Sequence, residues 1–213
     1  MRAVLLACVL IAAFLLVAEC TQQPASPVRT VTPVGNVPAA ITADVSIPAI
    51  KAIGAAATMD SWKRVRLSTS MGDIVIALDP AMPITTGNFA TLVKKGYYNS
   101  VIFHRVIPGF ILQGGDPTGT GCGGPGYIIK DEFGTNNQNN RGTIAMANAG
   151  PNTGGSQFFI NLVNNDYLNT KHPVFGRVVE GMDVVDKIAK EPTSGGQVNR
   201  PLQNVTIVKA VMI

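Results

Sequence analysis

One arginine in the sequence lies within an apolar stretch and could do chemistry there. Arg105 belongs to the run Val101–Val106, which predicts a β-strand. Alternation along a strand puts its side chain on the same face as Phe103 and opposite His104. Because burying an unpaired charge is costly, the guanidinium needs a partner, and the side-chain oxygen of Gln113 can supply part of one. A guanidinium held in this way can stabilise a polar transition state. The alternative is a structural role, in an ion pair or at a solvated strand end.

Several other kinds of chemistry are excluded by spacing. His104 and His172 have no cysteine or carboxylate arranged around them as zinc ligands would be. The glycine-rich stretch Gly114–Gly126 has no Lys-Ser/Thr after its glycines, so it is not a phosphate-binding loop. Ser156 lacks the second glycine that a nucleophile elbow requires. The sequence therefore predicts neither a metal nor a cofactor.

The elements that must position Arg105 are short. Alternating residues on both sides of Met71-Gly72-Asp73 predict a β-hairpin, and residues 83–95 predict a helix with Gly96 beyond its end. A second helix is predicted at about residues 182–190. Between and after the helices lie short apolar runs bounded by Gly, Pro or Asn: 101–106, 110–113, 144–147, 158–162, 174–179 and 205–211. About eight strands with two helices predict a mainly β fold, an antiparallel barrel or sandwich with helices closing its ends.

Composition narrows the class of protein further. The 213 residues include 22 glycines and 14 prolines, which favours many turns and few long helices. The net charge is +4, and no basic cluster with interleaved aromatic residues is present, so nucleic acid is not the expected partner. Three cysteines are too few for a disulfide framework.

The amino-terminal residues are typical of a targeting segment. Residues 3–18 have no charged or amide side chain, a length short for a membrane span but suited to a signal peptide. Three alternatives stay open: cleavage after Cys20, lipid attachment to Cys20 in a sequence resembling a bacterial lipobox, and an uncleaved membrane anchor. Glu19 fits poorly before a lipidated cysteine. The sequence predicts an exported, periplasmic or extracytoplasmic protein, with a membrane tether through its amino terminus as one option.

The predicted domain organisation has three parts. Residues 1–20 are the signal peptide or anchor. Residues 21–58 contain five prolines and only three charged side chains, which predicts an extended, semi-rigid linker. Residues 59–213 are the folded domain.

Four stretches of the folded domain resemble the cyclophilins, the peptidyl-prolyl cis–trans isomerases, in the family's order: 103–116, 146–160, 167–168 and 171–176. The resemblance covers residues 62–213. It implies an eight-stranded antiparallel closed β-barrel capped by two α-helices, with the active site on its outer face. It also implies that the chain isomerises X–Pro bonds in folding proteins, with proline-containing peptides and unfolded or folding proteins as partners.

The resemblance implies a role for each matched site residue. Arg105 is the catalytic residue, and His172 belongs to the pocket wall rather than to a proton relay. Gln113 and Gln157 orient the peptide and Arg105, while Ala147, Asn148 and Ala149 hold the substrate backbone in extended form. The proline pocket is implied to consist of apolar side chains with an aromatic rim: Phe110, Ile111, Phe159, Leu168 and Tyr167. Neighbours on a strand face opposite ways, so Phe158 is predicted to lie in the core.

The sequence also departs from the family's common pattern. Tyr167 stands where many cyclophilins have Trp, which predicts weakened affinity for the inhibitor cyclosporin. The compact loops and this tyrosine favour a prokaryotic-like member. A competing hypothesis is a binding module that recognises proline-containing segments without useful turnover. A weaker one is a scaffold whose linker docks a partner. The presence of Arg105 favours the enzyme, because a binding module has no need of it.

Overall fold

The computed structural model of the chain describes residues 62–196 and 198–213. Two helices, α1 (Pro83–Lys94) and α2 (Met182–Ile188), and a 3-10 helix (Asp166–Leu168) accompany the strands. The strands, in chain order, are β1 (Arg64–Thr69), β2 (Gly72–Leu78), β3 (Val101–Ile102), β4 (Arg105–Ile107), β5 (Ile111–Gly114), β6 (Thr143–Met146), β7 (Phe158–Asn161), β8 (Val174–Glu180) and β9 (Thr206–Met212).

The nine strands form one curled antiparallel sheet in the order β3-β9-β1-β2-β8-β6-β7-β5-β4. The first strand therefore pairs with the last, with Val65 opposite Met212. The two strands at the ends of this order, β3 and β4, are neighbours in the chain and are joined by two residues. The mainly β, antiparallel fold with two helices is thus confirmed. The detail differs from the eight strands expected, because the run predicted as one strand is divided between β3 and β4.

This division corrects the predicted facing of residues 103–106. Phe103 and Val106 both lie in the same buried core, so Phe103 does not share a face with Arg105. The two residues between β3 and β4 are not paired with a neighbouring strand. The strict alternation of side chains therefore does not continue through them, and facing predicted from one strand does not apply to the next. His104, in the same interruption, is also buried.

The helix α1 forms where its residue types favour one. Pro83 occupies the first turn, where a missing N–H is tolerated, and Phe89 and Leu92 face the core. The helix ends before Gly96, which has a φ of 69°, and the Tyr97 N–H donates to the Leu92 carbonyl oxygen at 3.0 Å. A left-handed residue at this position with such a hydrogen bond is a common helix ending.

The main core lies between the concave side of the sheet and the two helices. Its centre is a set of aromatic rings in which Phe158 of β7 contacts Phe89, Tyr98 and Phe103, with ring centroids 5.4–6.3 Å apart. Phe158 has no exposed surface. Phe158 thus lies in the core, as predicted. Its neighbour Phe159 belongs to a separate apolar cluster on the other face of the sheet.

The predicted signal peptide or anchor and the predicted linker, residues 1–20 and 21–58, lie outside the described residues. Among residues 62–196 and 198–213, no helix is both long enough and apolar enough to cross a membrane.

Candidate active site

A small apolar cluster lies on the convex face of the sheet, across from the main core. Its buried members come from β5, β6, β7 and the 3-10 helix: Ile111, Ala145, Phe159 and Leu168. Partly buried side chains surround them: Phe110, Ala147 and Val174. Antiparallel pairing places the strand residues side by side, because Phe159 is opposite both Gln113 of β5 and Ala145 of β6. An apolar surface of this kind on the outside of a sheet can receive an apolar ring from a ligand.

Arg105 lies at the edge of this cluster. The tight turn through Pro108 and Gly109 sets the register of β4 against β5, so that Arg105 is directly opposite Gln113. The Arg105 Nη1 donates to Gln113 Oε1 at 3.3 Å, and its Cζ lies 5.9 Å from the centre of the Phe110 ring. Burial lowers the pKa of Arg105, but a guanidinium remains charged at neutral pH. The site thus combines a fixed cation with an apolar surface.

Two amide side chains connect Arg105 with the loop that follows β5. The Gln113 Nε2 donates to Gln157 Oε1 at 3.0 Å. The Gln157 Nε2 in turn donates to the carbonyl oxygens of Gly121 and Gly123, each at 2.9 Å. The hydrogen-bonded series Arg105–Gln113–Gln157 thereby ends on main-chain atoms of this loop.

The loop is organised by Asp116, a residue that sequence reasoning missed. Its carboxylate has no exposed surface and accepts hydrogen bonds from the amides of Thr118, Gly121 and Gly123. Burial by itself raises the pKa of Asp116, but the hydrogen bonds from Thr118 and from these backbone amides outweigh it and lower the pKa to about 2. The sequence did offer a signal: an aspartate two residues after a strand, followed by threonines and by glycines, which are common in turns.

The lowered pKa of Asp116 should make the free energy of unfolding depend on pH in the acid range. The folded-state pKa of about 2 lies below the ordinary 3.8, so the carboxylate stabilises the fold above about pH 4 and ceases to do so as the pH falls toward 2. The difference corresponds to about 2 kcal/mol. Urea denaturation at pH 6 and pH 2.5 should show Asp116→Asn losing about that much less stability on acidification than wild type. Equal losses in the two proteins would contradict this prediction.

The rim of the cluster beside Phe110 comes from the 3-10 helix. Tyr167 is 62% exposed and stacks on Phe110, with ring centroids 6.1 Å apart and an interplanar angle of 20°. Leu168, from the same helix, is buried beneath it. The two aromatic rings thus form one continuous wall from Arg105 to the 3-10 helix.

His172 closes the cluster on the side of β6. Its ring meets Phe159 edge-on, with centroids 5.3 Å apart, and its Nδ1 lies 3.1 Å from the Met146 carbonyl oxygen. Burial lowers the pKa of His172 from 6.5, although its hydrogen bond to Met146 opposes the shift. At neutral pH the ring is therefore uncharged, and with Nδ1–H donating to Met146 it serves as an apolar wall.

The segment after β6 forms a further border. The Ala147 N–H donates to the Gln157 carbonyl oxygen at 3.0 Å. The Asn148 side chain donates to the Lys171 carbonyl oxygen at 2.8 Å, which ties the segment to the turn before His172. The Ala149 N–H is used by Thr153 Oγ1 at 2.8 Å, so Ala149 has its carbonyl rather than its amide available for a bound chain.

The structure thus brings the residues singled out in the sequence onto one surface. Arg105 and Phe110 are on one side and His172 and Ala147–Ala149 on the other. The remaining residues lie between or alongside them: Ile111, Gln113, Gln157, Phe159, Tyr167 and Leu168. An apolar cluster on the convex face with one fixed guanidinium and polar groups along its border suits an extended peptide with an apolar ring.

The family model described as cyclophilin type peptidyl-prolyl cis-trans isomerase/CLD matches residues 64–212. The chain therefore belongs to the cyclophilin-type peptidyl-prolyl cis-trans isomerase family. Among its relatives, the peptidyl-prolyl cis-trans isomerase ppi1 of Schizosaccharomyces pombe is 47% identical over 154 residues, which are 70% of this chain and 98% of that protein. The human peptidyl-prolyl cis-trans isomerase-like 1 is 45% identical over 163 residues, 73% of this chain and 97% of that protein. The predicted enzyme class, a peptidyl-prolyl cis–trans isomerase, is confirmed.

Solved structures agree with this assignment. A cyclophilin-type peptidyl-prolyl cis-trans isomerase of Cryptosporidium parvum is 36% identical and superposes with a TM-score of 0.68, covering 71% of this chain and 98% of that one. The same protein in the presence of the dipeptide Ala-Pro superposes with a TM-score of 0.67 at 36% identity, covering 70% of this chain and 98% of that one. A member of the family has thus been solved in the presence of a proline-containing peptide.

These relatives correct the predicted localisation. The prediction of export to a periplasmic or extracytoplasmic compartment is wrong, because these relatives are eukaryotic proteins with the names peptidyl-prolyl cis-trans isomerase-like 1 and ppi1. The predicted prokaryotic-like character has no support in these relatives. Compact loops and one tyrosine do not separate lineages, since both reflect local packing. An apolar run of 16 residues is a statement about composition, and composition by itself does not specify export. The predicted signal peptide, lipid anchor and membrane tether have no support in these comparisons.

Proposed function

We propose that this chain accelerates rotation about X–Pro bonds in proline-containing peptides and in unfolded or folding proteins, with Arg105 as the catalytic residue. The observation that carries the proposal is the position of the Arg105 guanidinium, held by Gln113 at the edge of the apolar cluster on the convex face. A proline ring seated on that cluster presents its nitrogen toward this edge. The proposal assigns the isomerase activity to residues 59–213, preceded by a linker at residues 21–58.

The chemistry asked of Arg105 follows from the electronic structure of the amide. The barrier to rotation of an ordinary peptide bond is about 18–20 kcal/mol, because the C–N bond loses its double-bond character on twisting. In the twisted state the prolyl nitrogen regains its lone pair and becomes a better hydrogen-bond acceptor. A guanidinium directed at that nitrogen stabilises the twisted amide more than the planar one, which is the requirement for catalysis. Lowering the barrier by about 7 kcal/mol gives an acceleration of about 10⁵.

The remaining residues of the site bind and orient. Phe159 and its neighbours Ile111 and Leu168 form the floor on which the proline ring packs, and Phe110 and Tyr167 form its wall. Asn148 and the alanines beside it align the substrate main chain through their own main-chain groups. His172 acts as a neutral wall, because the reaction transfers no proton and the pKa of this histidine is lowered by burial.

The proposal is tested with the full-length chain and a short X–Pro peptide, using NMR exchange spectroscopy to measure cis–trans interconversion. We expect exchange faster than the uncatalysed isomerisation, which takes tens of seconds or longer, at protein concentrations well below that of the peptide. Binding of the peptide is followed in the same samples through chemical shifts. Peptide binding with an unchanged exchange rate would overturn the isomerase proposal in favour of a proline-recognition module.

Inhibitor binding offers a further prediction at the rim. Tyr167 stacks on Phe110 and is largely exposed, so Tyr167→Trp should enlarge the apolar contact and add an N–H donor there. We expect cyclosporin to bind about tenfold more tightly to this variant, as judged by titration calorimetry. Tyr127→Trp, at a partly exposed tyrosine whose hydroxyl donates to Asn88 outside the cluster, is the matched control and should leave the affinity unchanged. Equal affinities of wild type and Tyr167→Trp would contradict the prediction.

A further inference from the structure

A single buried carboxylate collects the donors of the loop after β5. Asp116 accepts from the Thr118 N–H and hydroxyl, both at 2.7 Å, and from the N–H groups of Gly121 at 2.6 Å and Gly123 at 3.1 Å. The Thr120 hydroxyl adds a fifth donor at 3.3 Å. The carboxylate has no exposed surface. Because an ionised carboxylate only accepts, every loop group around it must present a proton to it.

Two residues of the loop face both Asp116 and the active site. The N–H groups of Gly121 and Gly123 donate to Asp116, and the carbonyl oxygens of the same two residues accept from Gln157 Nε2. A displacement of either residue therefore moves the acceptors of the Gln157 amide. Gly123 packs tightly against Asp116, since a Cβ added at Gly123 would lie 2.0 Å from Asp116 Oδ1.

The direction of these hydrogen bonds determines which atom meets the catalytic guanidinium. With its two N–H protons directed at the Gly121 and Gly123 carbonyls, Gln157 must turn its Oε1 toward Gln113. Gln113 then donates its amide N–H to Gln157 and turns its own Oε1 toward Arg105. A reversed Gln113 amide would turn its NH₂ toward the guanidinium, and a reversed Gln157 amide would turn its NH₂ toward that of Gln113; in either case two donors would meet without an acceptor.

We propose that Asp116 is a positioning residue for the isomerase reaction. By fixing the Gly121 and Gly123 carbonyls it sets the orientation of both glutamine amides and, through them, the direction in which Arg105 presents its guanidinium. This inference rests on the proposed catalytic role of Arg105. Small displacements of catalytic groups have large effects on rate, up to about 10²-fold for 1 Å.

The test compares full-length wild type with Asp116→Asn, whose amide keeps the shape of the side chain but brings a donor against loop N–H groups. We expect cis–trans exchange of a saturating X–Pro peptide to slow by about 10- to 100-fold, with the peptide Kd changed less than twofold. Asp79→Asn is the matched control, because the Asp79 carboxylate also accepts from an N–H two residues on, that of Ala81, but lies outside this series. It should leave the exchange rate unchanged.

To distinguish positioning of Arg105 from a purely structural role of Asp116, Asp116→Asn is repeated in an Arg105→Ala background. If Asp116 acts through Arg105, its replacement should change the residual rate less than twofold there. Equal fold losses in both backgrounds, or no loss in the wild-type background, would overturn the inference.

A second readout does not depend on turnover. The Arg105 side-chain NMR signals should report slow rotation of the guanidinium in wild type and faster rotation in Asp116→Asn. Gln157→Ala removes the acceptor of the Gln113 amide, leaves Asp116 intact and should also speed the rotation, which covers the case that Asp116→Asn fails to fold. Unchanged guanidinium rotation in the folded variants would refute positioning. If wild type showed no isomerisation, the proposed function would fail, while this signature would still decide whether the series orients Arg105.

Discussion

Arg105→Ala should lower the rate of X–Pro exchange by about 10²–10³-fold, the usual cost of removing one preorganised group that stabilises a transition state. The affinity for the peptide should change little, because the proline ring rests on the apolar cluster and the guanidinium contributes mainly when the amide is twisted. Among the described residues, Gln113 alone accepts a hydrogen bond from the Arg105 side chain, at a partly buried position, so the fold should remain intact. Exchange NMR with the full-length chain gives the rate and the Kd together.

Arg105→Lys is the informative control for this prediction. It keeps the charge but replaces a planar group with five donors by a compact ammonium on a flexible stem. We expect its rate to lie closer to that of Arg105→Ala than to wild type, because an ammonium is not held in one direction by Gln113. A lysine variant with full activity would show that charge alone suffices. An alanine variant with full activity would remove Arg105 from the mechanism.

The second large effect separates two adjacent phenylalanines. Phe158→Ala should reduce the free energy of unfolding by about 3–5 kcal/mol, the range for deleting a fully buried aromatic ring. Phe159→Ala also removes a buried ring and should cost a comparable amount of stability, but it alone should raise the Kd of an X–Pro peptide by about 10- to 100-fold, because the floor of the proline pocket is removed. Urea denaturation measures the first quantity and NMR titration the second.

Each phenylalanine variant is the control for the other. Phe158 packs against aromatic rings of the main core, whereas Phe159 packs against His172 on the convex face. The folded fraction of Phe158→Ala should therefore still bind the peptide with nearly wild-type affinity. If Phe159→Ala bound the peptide normally, the apolar cluster would not be the proline pocket.

The elements and the family could be predicted from the sequence because they depend on local patterns. Strand alternation separated Phe158 from Phe159 correctly, and Pro83 and Gly96 bracketed α1 to within a residue. The matched runs named residues that the structure brings onto one surface, although they are up to 67 positions apart in the chain, from Arg105 to His172. Short motifs of this family carry enough information to identify a surface that only the complete sheet assembles.

The features that could not be predicted depend on breaks within a strand and on hydrogen-bond partners that are distant in the sequence. Alternation failed at Phe103, because nothing in the apolar run marks the two residues at which the ladder stops. Asp116 was missed because its importance lies in amides up to seven residues ahead and in their contact with Gln157, 41 positions away. The amino-terminal run misled for a different reason: hydropathy describes a segment's composition but not the compartment in which the protein works.

The pairing of β1 with β9 has a consequence for how the chain comes to be folded during synthesis. The first strand finds its outer partner only in the last strand, so the sheet must wait for residues 206–212 to leave the ribosome. Until then β1 is paired on one side only, with β2, and β3 has no paired strand among the described residues, while Ile207 and Ala210 are missing from the core. The sheet is therefore complete only once β9 has paired, and loss of this strand should leave an exposed sheet edge prone to association with other chains.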